Sequence, residues 1–127
     1  MRTTGPSQIV VNEVPHEFDV FRIVRSDDTD DPVFLNSLRS YYELSQEPRR
    51  VERNWTVLHM GISVYRTQAQ AHDTALAWPR LGVYIAELTL QPGKGINFAR
   101  SGHSGHLTLW ANPVKLLGVV ADINAVG

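Results

Sequence analysis

The segment Leu58-His59-Met60-Gly61-Ile62-Ser63-Val64-Tyr65 sets three chemically useful side chains at alternating positions. In an extended strand, side chains alternate between the two faces with period two. Leu58, Met60, Ile62 and Val64 then form an apolar face, while His59, Ser63 and Tyr65 share the other with Gly61 between them. An imidazole and two hydroxyls on one surface can accept, donate and relay protons. A glycine in the gap lets something approach the strand backbone closely. Such a surface is either the wall of a ligand pocket or the solvated side of an edge strand.

A second cluster is His103-Ser104-Gly105-His106, two histidines three apart on a loop that leads into a strand. That spacing could bind a metal, activate water or contact a phosphate. A structural zinc site takes four ligands, and the chain has no cysteine. His59 is the nearest further candidate, with Glu87 and Asp73 more remote, so no metal is expected. The alternative is a pair of polar loop residues without a ligand.

Glu87 lies in the apolar run Val83-Tyr84-Ile85-Ala86-Glu87-Leu88-Thr89-Leu90. A carboxylate in such a strand must be hydrogen-bonded, paired or shifted in pKa. It is a candidate catalytic base or anchor for a substrate hydroxyl, or one half of a structural ion pair with an arginine. The expectation is burial with an arginine partner. Arg22, between Phe21 and Ile23, could clamp a phosphate or be that partner. Arg49, Arg50 and Arg53 followed by Trp55 could hold phosphates or stack a base, or form a solvated loop. No phosphate-binding loop, dinucleotide fingerprint or nucleophile elbow occurs.

The elements that must position these residues follow from periodicity and punctuation. Gln8 to Val14 reads as a short strand stopped by Pro15, and Glu17 to Arg25 as a better one. In the latter, Phe18, Val20 and Val24 share a face with Arg22, while Phe21 and Ile23 point the other way. Asp31-Pro32 is a helix start, because aspartate caps free amides and proline suits the first helical position. The stripe Phe34, Leu35, Leu38, Tyr41, Tyr42 predicts a helix from Pro32 to about Ser45. Trp55 to Tyr65 is the key strand. Thr67-Gln68-Ala69-Gln70 is a capping box, opening a helix that ends before Pro79. Leu81–Leu90, Ile96–Ala99 and His106–Trp110 read as strands. Asn112-Pro113 is a turn before a last strand, Leu116 to Val126. Early helices and later strands predict an α+β fold with a mixed or antiparallel sheet and two main helices.

Composition sets the outer bounds. A chain of 127 residues is one domain by length, taken as residues 1–127 with 1–7 a loose leader. A hydrophobic fraction of 43% with 20% charged residues is that of a soluble globular protein. Without cysteine there is no disulfide framework or thiolate chemistry, which suits the cytoplasm. A formal net charge of -1 gives no electrostatic case for nucleic acid or a membrane as partner.

Four segments together resemble the ADP-ribosyltransferase fold, the NAD-binding α+β fold of poly-ADP-ribose polymerases and bacterial ADP-ribosylating toxins. Phe18 to Val24 is similar to its first core strand, where an arginine or histidine holds NAD. Gly61 to Tyr65 with the alanine-rich helix behind it is similar to its second element, which carries a serine or tyrosine under the nicotinamide. Gly82 to Leu90 resembles the strand after that helix, and His106 to Pro113 the strand that begins at the family's catalytic glutamate. The resemblance implies NAD or a related nucleotide as ligand, with Arg22 on phosphate or ribose and Ser63 and Tyr65, joined by His59, at the nicotinamide site. It sets His106 in the acid/base position and brings Arg22 and His106 to the face that periodicity gives His59, Ser63 and Tyr65, so that the five line one cleft. His106 is also the departure, since a neutral imidazole offers a base but no fixed negative charge. The implied protein is an atypical transferase or NAD-consuming enzyme. The alternative is a non-catalytic interaction or regulatory protein with a protein partner at the Arg49-to-Trp55 loop.

Overall fold

The computed structural model describes residues 10–40, 61–101 and 105–127. Within them, β1 (Asn12–Glu13), β2 (Phe18–Val24), β3 (Ile62–Tyr65), β4 (Tyr84–Leu90), β5 (Asn97–Arg100), β6 (His106–Trp110) and β7 (Val120–Ala125) form one sheet. The strand order is β1-β5-β6-β3-β2-β4-β7, and every pairing is antiparallel. Three helices are described: α1 (Pro32–Ser37), α2 (Gln68–Ala77) and α3 (Pro113–Leu117). The α+β expectation holds, with an antiparallel sheet.

All three helices begin on the same device. The side chains of Asp31, Thr67 and Asn112 accept from the amides of Val33, Gln70 and Val114, and proline follows the cap in α1 and α3. Each such cap contributes about 1 kcal/mol. Asn112-Pro113, read from sequence as a turn, therefore opens α3, and the last strand shortens to β7. At the other end of α2, Trp78 is the C-cap and Pro79 starts a 3-10 turn, so β4 begins only at Tyr84.

Helix α1 also corrects its expected length. It stops at Ser37, with Leu38 as C-cap and residues 38–40 outside the helix. Positions 41–45 lie outside the described residues. At this end the Leu38 and Arg39 amides donate to the Leu35 and Asn36 carbonyls, three residues back, so the last turn is tightened, and Arg22 Nε donates to the Ser37 carbonyl at 3.0 Å.

The sheet separates two cores. On one face, α1 and α3 bring Phe34, Leu38 and Leu116 onto Val20, Val24, Ile62, Val64, Leu88 and Leu109. On the other, Ala71 and Ala75 of α2 pack on Ile23 and Ile85, with Phe21 and Tyr65 alongside. The expected alternation in β2 is therefore observed. Alanines on α2 keep that helix close to the strands.

Among the described residues β7 is an edge of the sheet, interrupted by a bulge at Ala121, since Glu87 pairs with Asp122 but Leu88 with Val120. The Val126 amide donates to the Val83 carbonyl, so ladder alternation turns Asn124 and Asp122 toward β4 and Ile123 outward. The outward Ile123 amide donates to Asp122 Oδ1 at 2.9 Å. The neighbouring side chain thus closes part of the edge. Among the described residues no helix is long and apolar enough to cross a membrane.

Candidate functional site

Strands β3, β6 and β5 carry a polar surface. Ser63 pairs with Thr108, Thr108 with Ala99, Tyr65 with His106, and Trp110 with Asn97. Directly opposed residues share a face, so Ser63, Tyr65, His106, Thr108, Trp110 and Asn97 stand on one side of the sheet. No lysine or arginine belongs to this group. The Tyr65 and His106 rings meet edge to face, with centroids 5.3 Å apart and planes at 72°. Among the described residues, the hydroxyls of Ser63 and Tyr65 have no hydrogen-bond partner.

His106 is anchored from β5's end. Its Nδ1 lies 2.6 Å from the Ser101 carbonyl and 2.9 Å from Ser101 Oγ. Ser101 Oγ is in turn 2.7 Å from Thr108 Oγ1, and Thr108 is only 3% exposed. The Ser101 amide donates to the His106 carbonyl at 3.1 Å, closing the loop. Gly105 turns the chain into His106 with φ +83°, and a Cβ there would overlap the Gln70 side-chain amide. Gln70 belongs to the expected capping box, its amide donating to Thr67 Oγ1 at 3.1 Å. The start of α2 and the loop before His106 thus sit against each other.

The space at Gly61 is already used. A Cβ there would meet the Thr108 methyl, the Leu109 carbonyl at 2.8 Å and the Trp110 indole nitrogen at 3.0 Å. The close approach predicted for this glycine is made by β6.

Arg22 does not join this surface. Phe21 is the β2 residue opposite Tyr65, so Phe21 shares the face of Tyr65 and His106, and Arg22 points to the α1 side. The expected single cleft holding Arg22 with His106 is corrected on this point. Arg22 Nη1 donates to the Ser63 carbonyl at 2.8 Å and Nε to that of Ser37. The Arg66 amide pairs with the Gly105 carbonyl, so alternation turns the Ser63 carbonyl toward β2. Phe21–Tyr65 is the one residue pair joining these strands, and Arg22 supplies the donor that β2's backbone does not.

Glu87 also departs from expectation. It is half-buried, and its neighbours are Asp19 and Asp122, not an arginine. A hydrogen bond with Asp19, partial burial, and the charges of Asp19 and Asp122 together hold its carboxyl above the usual value. The reason is placement: α2 covers Ile23 and Ile85, and Glu87 lies beyond them in the row Asp122, Glu87, Phe21, Tyr65, His106. Three interstrand steps put Glu87 roughly 14 Å from His106, so the two candidate catalytic residues do not share a site.

His59, His103, Arg49, Arg50, Arg53 and Trp55 lie outside the described residues. Among the described residues, no group of three or more histidines or carboxylates stands close enough to hold a metal. Sequence reasoning missed Ser101, Thr108 and Trp110. The last two were legible as the alternate positions after His106; Ser101 is brought in by the loop and carried no local signal. Compared with protein-family models, curated proteins and solved structures, the chain finds no match.

Proposed function

We propose that this chain is an ADP-ribosyltransferase-like protein that binds NAD or a related nucleotide on the polar face of β3, β6 and β5. The observation that carries the reading is the Tyr65–His106 pair, beside the Ser63 hydroxyl and backed by Ser101 and Thr108. It offers aromatic surface for a planar ring, together with the Ser63 and Tyr65 hydroxyls, which have no hydrogen-bond partner among the described residues and can turn to a ligand. The strands of the four segments that carry the family resemblance, β2, β3, β4 and β6, lie in one sheet. Arg22 takes no part in ligand contact in this reading; it holds the strand that bears Ser63. His106 stands where a transferase has its glutamate, so any turnover uses an imidazole base and no fixed anion.

Titrating the labelled full chain with NAD, read by amide-resolved NMR, tests the proposal. Shifts should cluster on Ser63, Tyr65, His106 and Thr108. The double variant Ser63→Ala, Tyr65→Phe should weaken binding by about tenfold, the scale of one or two hydrogen bonds. No shift on these strands at millimolar NAD overturns the reading.

A further inference from the structure

We propose that the turn Gly93-Lys94-Gly95, together with Lys115, forms a second binding site, one that takes a phosphate group carried by a small molecule. Two elements meet there because they leave the sheet together. Asn97 opens β5, Trp110 closes β6, and the two residues are paired. The turn before Asn97 and helix α3 after Trp110 therefore start from the same end of neighbouring strands. Pro113 and Leu116 bury the inner side of α3, which leaves Lys115 exposed. Its Nζ stands 2.9 Å from the point that a Cβ on Gly95 would occupy. The ammonium thus lies against the turn, and Lys94, also exposed, belongs to the turn itself.

Neither ammonium is neutralised. Among the described residues, Lys94 and Lys115 have no ion pair or hydrogen bond, and the Glu17 carboxylate nearby accepts from Gln91 Nε2 at 2.9 Å. Two like charges gathered at one turn repel, and an anion between them relieves that repulsion. The backbone adds donors. Gly93 and Gly95 have φ of +76° and +74°, and turns that use this region aim successive amides at a common concavity. The amides of Gly93, Lys94 and Gly95 make no hydrogen bond among the described residues. A dianionic oxyanion uses both kinds of donor at once. On Gly93 a Cβ would meet nothing within 4 Å, which leaves space for the ester substituent of a phosphomonoester. The polar face of β3, β6 and β5 has no lysine or arginine, so this turn supplies a charge that the other site lacks.

The labelled full chain, titrated at pH 8 with inorganic phosphate and separately with methyl phosphate, tests the site by amide-resolved NMR. Sodium chloride at matched ionic strength is the control. Both phosphates should shift Gly93, Lys94 and Gly95 with millimolar affinity, and the two affinities should agree within about threefold, the scale of an exposed ion pair. Lys94→Ala and Lys115→Ala should each weaken binding by about threefold, and the double variant by about tenfold, since separate contacts add. Lys94→Arg and Lys115→Arg should keep most of the affinity. Both lysines are exposed, so these substitutions leave the fold intact. Shifts no larger than those from chloride, or equal affinity in the double alanine variant, overturn the proposal. Binding of inorganic phosphate without methyl phosphate overturns the assignment to a phosphate carried by a small molecule. The NAD titration is read on other residues, so either result leaves it standing.

Discussion

Arg22 bonds through Nη1 to the backbone carbonyl of Ser63, 41 positions later in the chain, at 2.8 Å. A guanidinium here completes a sheet that its own backbone leaves open between β2 and β3. Its Nε closes α1 by taking the Ser37 carbonyl, so one side chain joins a helix end to two strands.

Arg22→Ala should therefore lower stability by about 2–4 kcal/mol, the scale of two charge-assisted hydrogen bonds lost at part-buried carbonyls. Arg22→Lys should recover less than half, because a single ammonium cannot reproduce the two-directional fork. Chemical denaturation measures both. NAD affinity in the remaining folded fraction should be unchanged; a selective loss of affinity would assign Arg22 to the ligand.

Gly105→Ala should cost about 1–3 kcal/mol, since φ of +83° is strained for alanine and its Cβ overlaps Gln70. Combining it with Gln70→Gly removes the overlap but not the strain. In thermal melts the double variant should lose less than the two single effects added together. Full additivity would mean that the two segments do not press on each other.

Glu87 sets a pH dependence whose sign can be worked out. Its carboxyl is raised above the ordinary value of 4.5 in the folded chain, so the unfolded chain loses its proton first as pH rises. This group's contribution is fully present below that ordinary value and is lost as pH climbs through the raised one. Glu87→Gln removes the repulsion from Asp19 and Asp122. The melting temperature at pH 7 should rise by about 1–3 °C, a surface-substitution scale. At pH 3.5 the advantage should vanish, and an advantage that grows toward acid would refute the assignment.

Asp122→Ala uncovers the outward amide of Ile123. Concentration-dependent self-association should then increase, read by sedimentation velocity, with melting temperature nearly unchanged. Unaltered sedimentation at high concentration would show that the bulge at Ala121 protects this edge alone.

How far the sequence carried depended on whether a residue's role was set by its neighbours in the chain. Thr67, Asp31, the break before Pro79 and the alternation of β2 were legible because caps, prolines and period-two patterning are local. The end of α1 was not, because the contact made there, Arg22 on the Ser37 carbonyl, comes from β2 and leaves no mark in the local pattern. Glu87 was placed in the correct strand, but its partners come from β2 and β7, and no local pattern names them. Of the site, Ser63, Tyr65 and His106 were found by alternation and resemblance. Arg22 failed to join them because the β2–β3 register, fixed by Phe21 and Tyr65, puts it on the other side.

As a mechanical object, this sheet is two plates, β1-β5-β6-β3 and β2-β4-β7, riveted through the single pair Phe21–Tyr65. Arg22 straps the joint from one side, and α2 lies across it on the other, packing on Ile23 and Tyr65. Ser63 and His106 lie on the same plate, so their spacing is set by the β3–β6 register and not by the joint. A load pulling the plates apart would meet its least backbone resistance at this joint, and Tyr65 belongs both to the rivet and to the polar face.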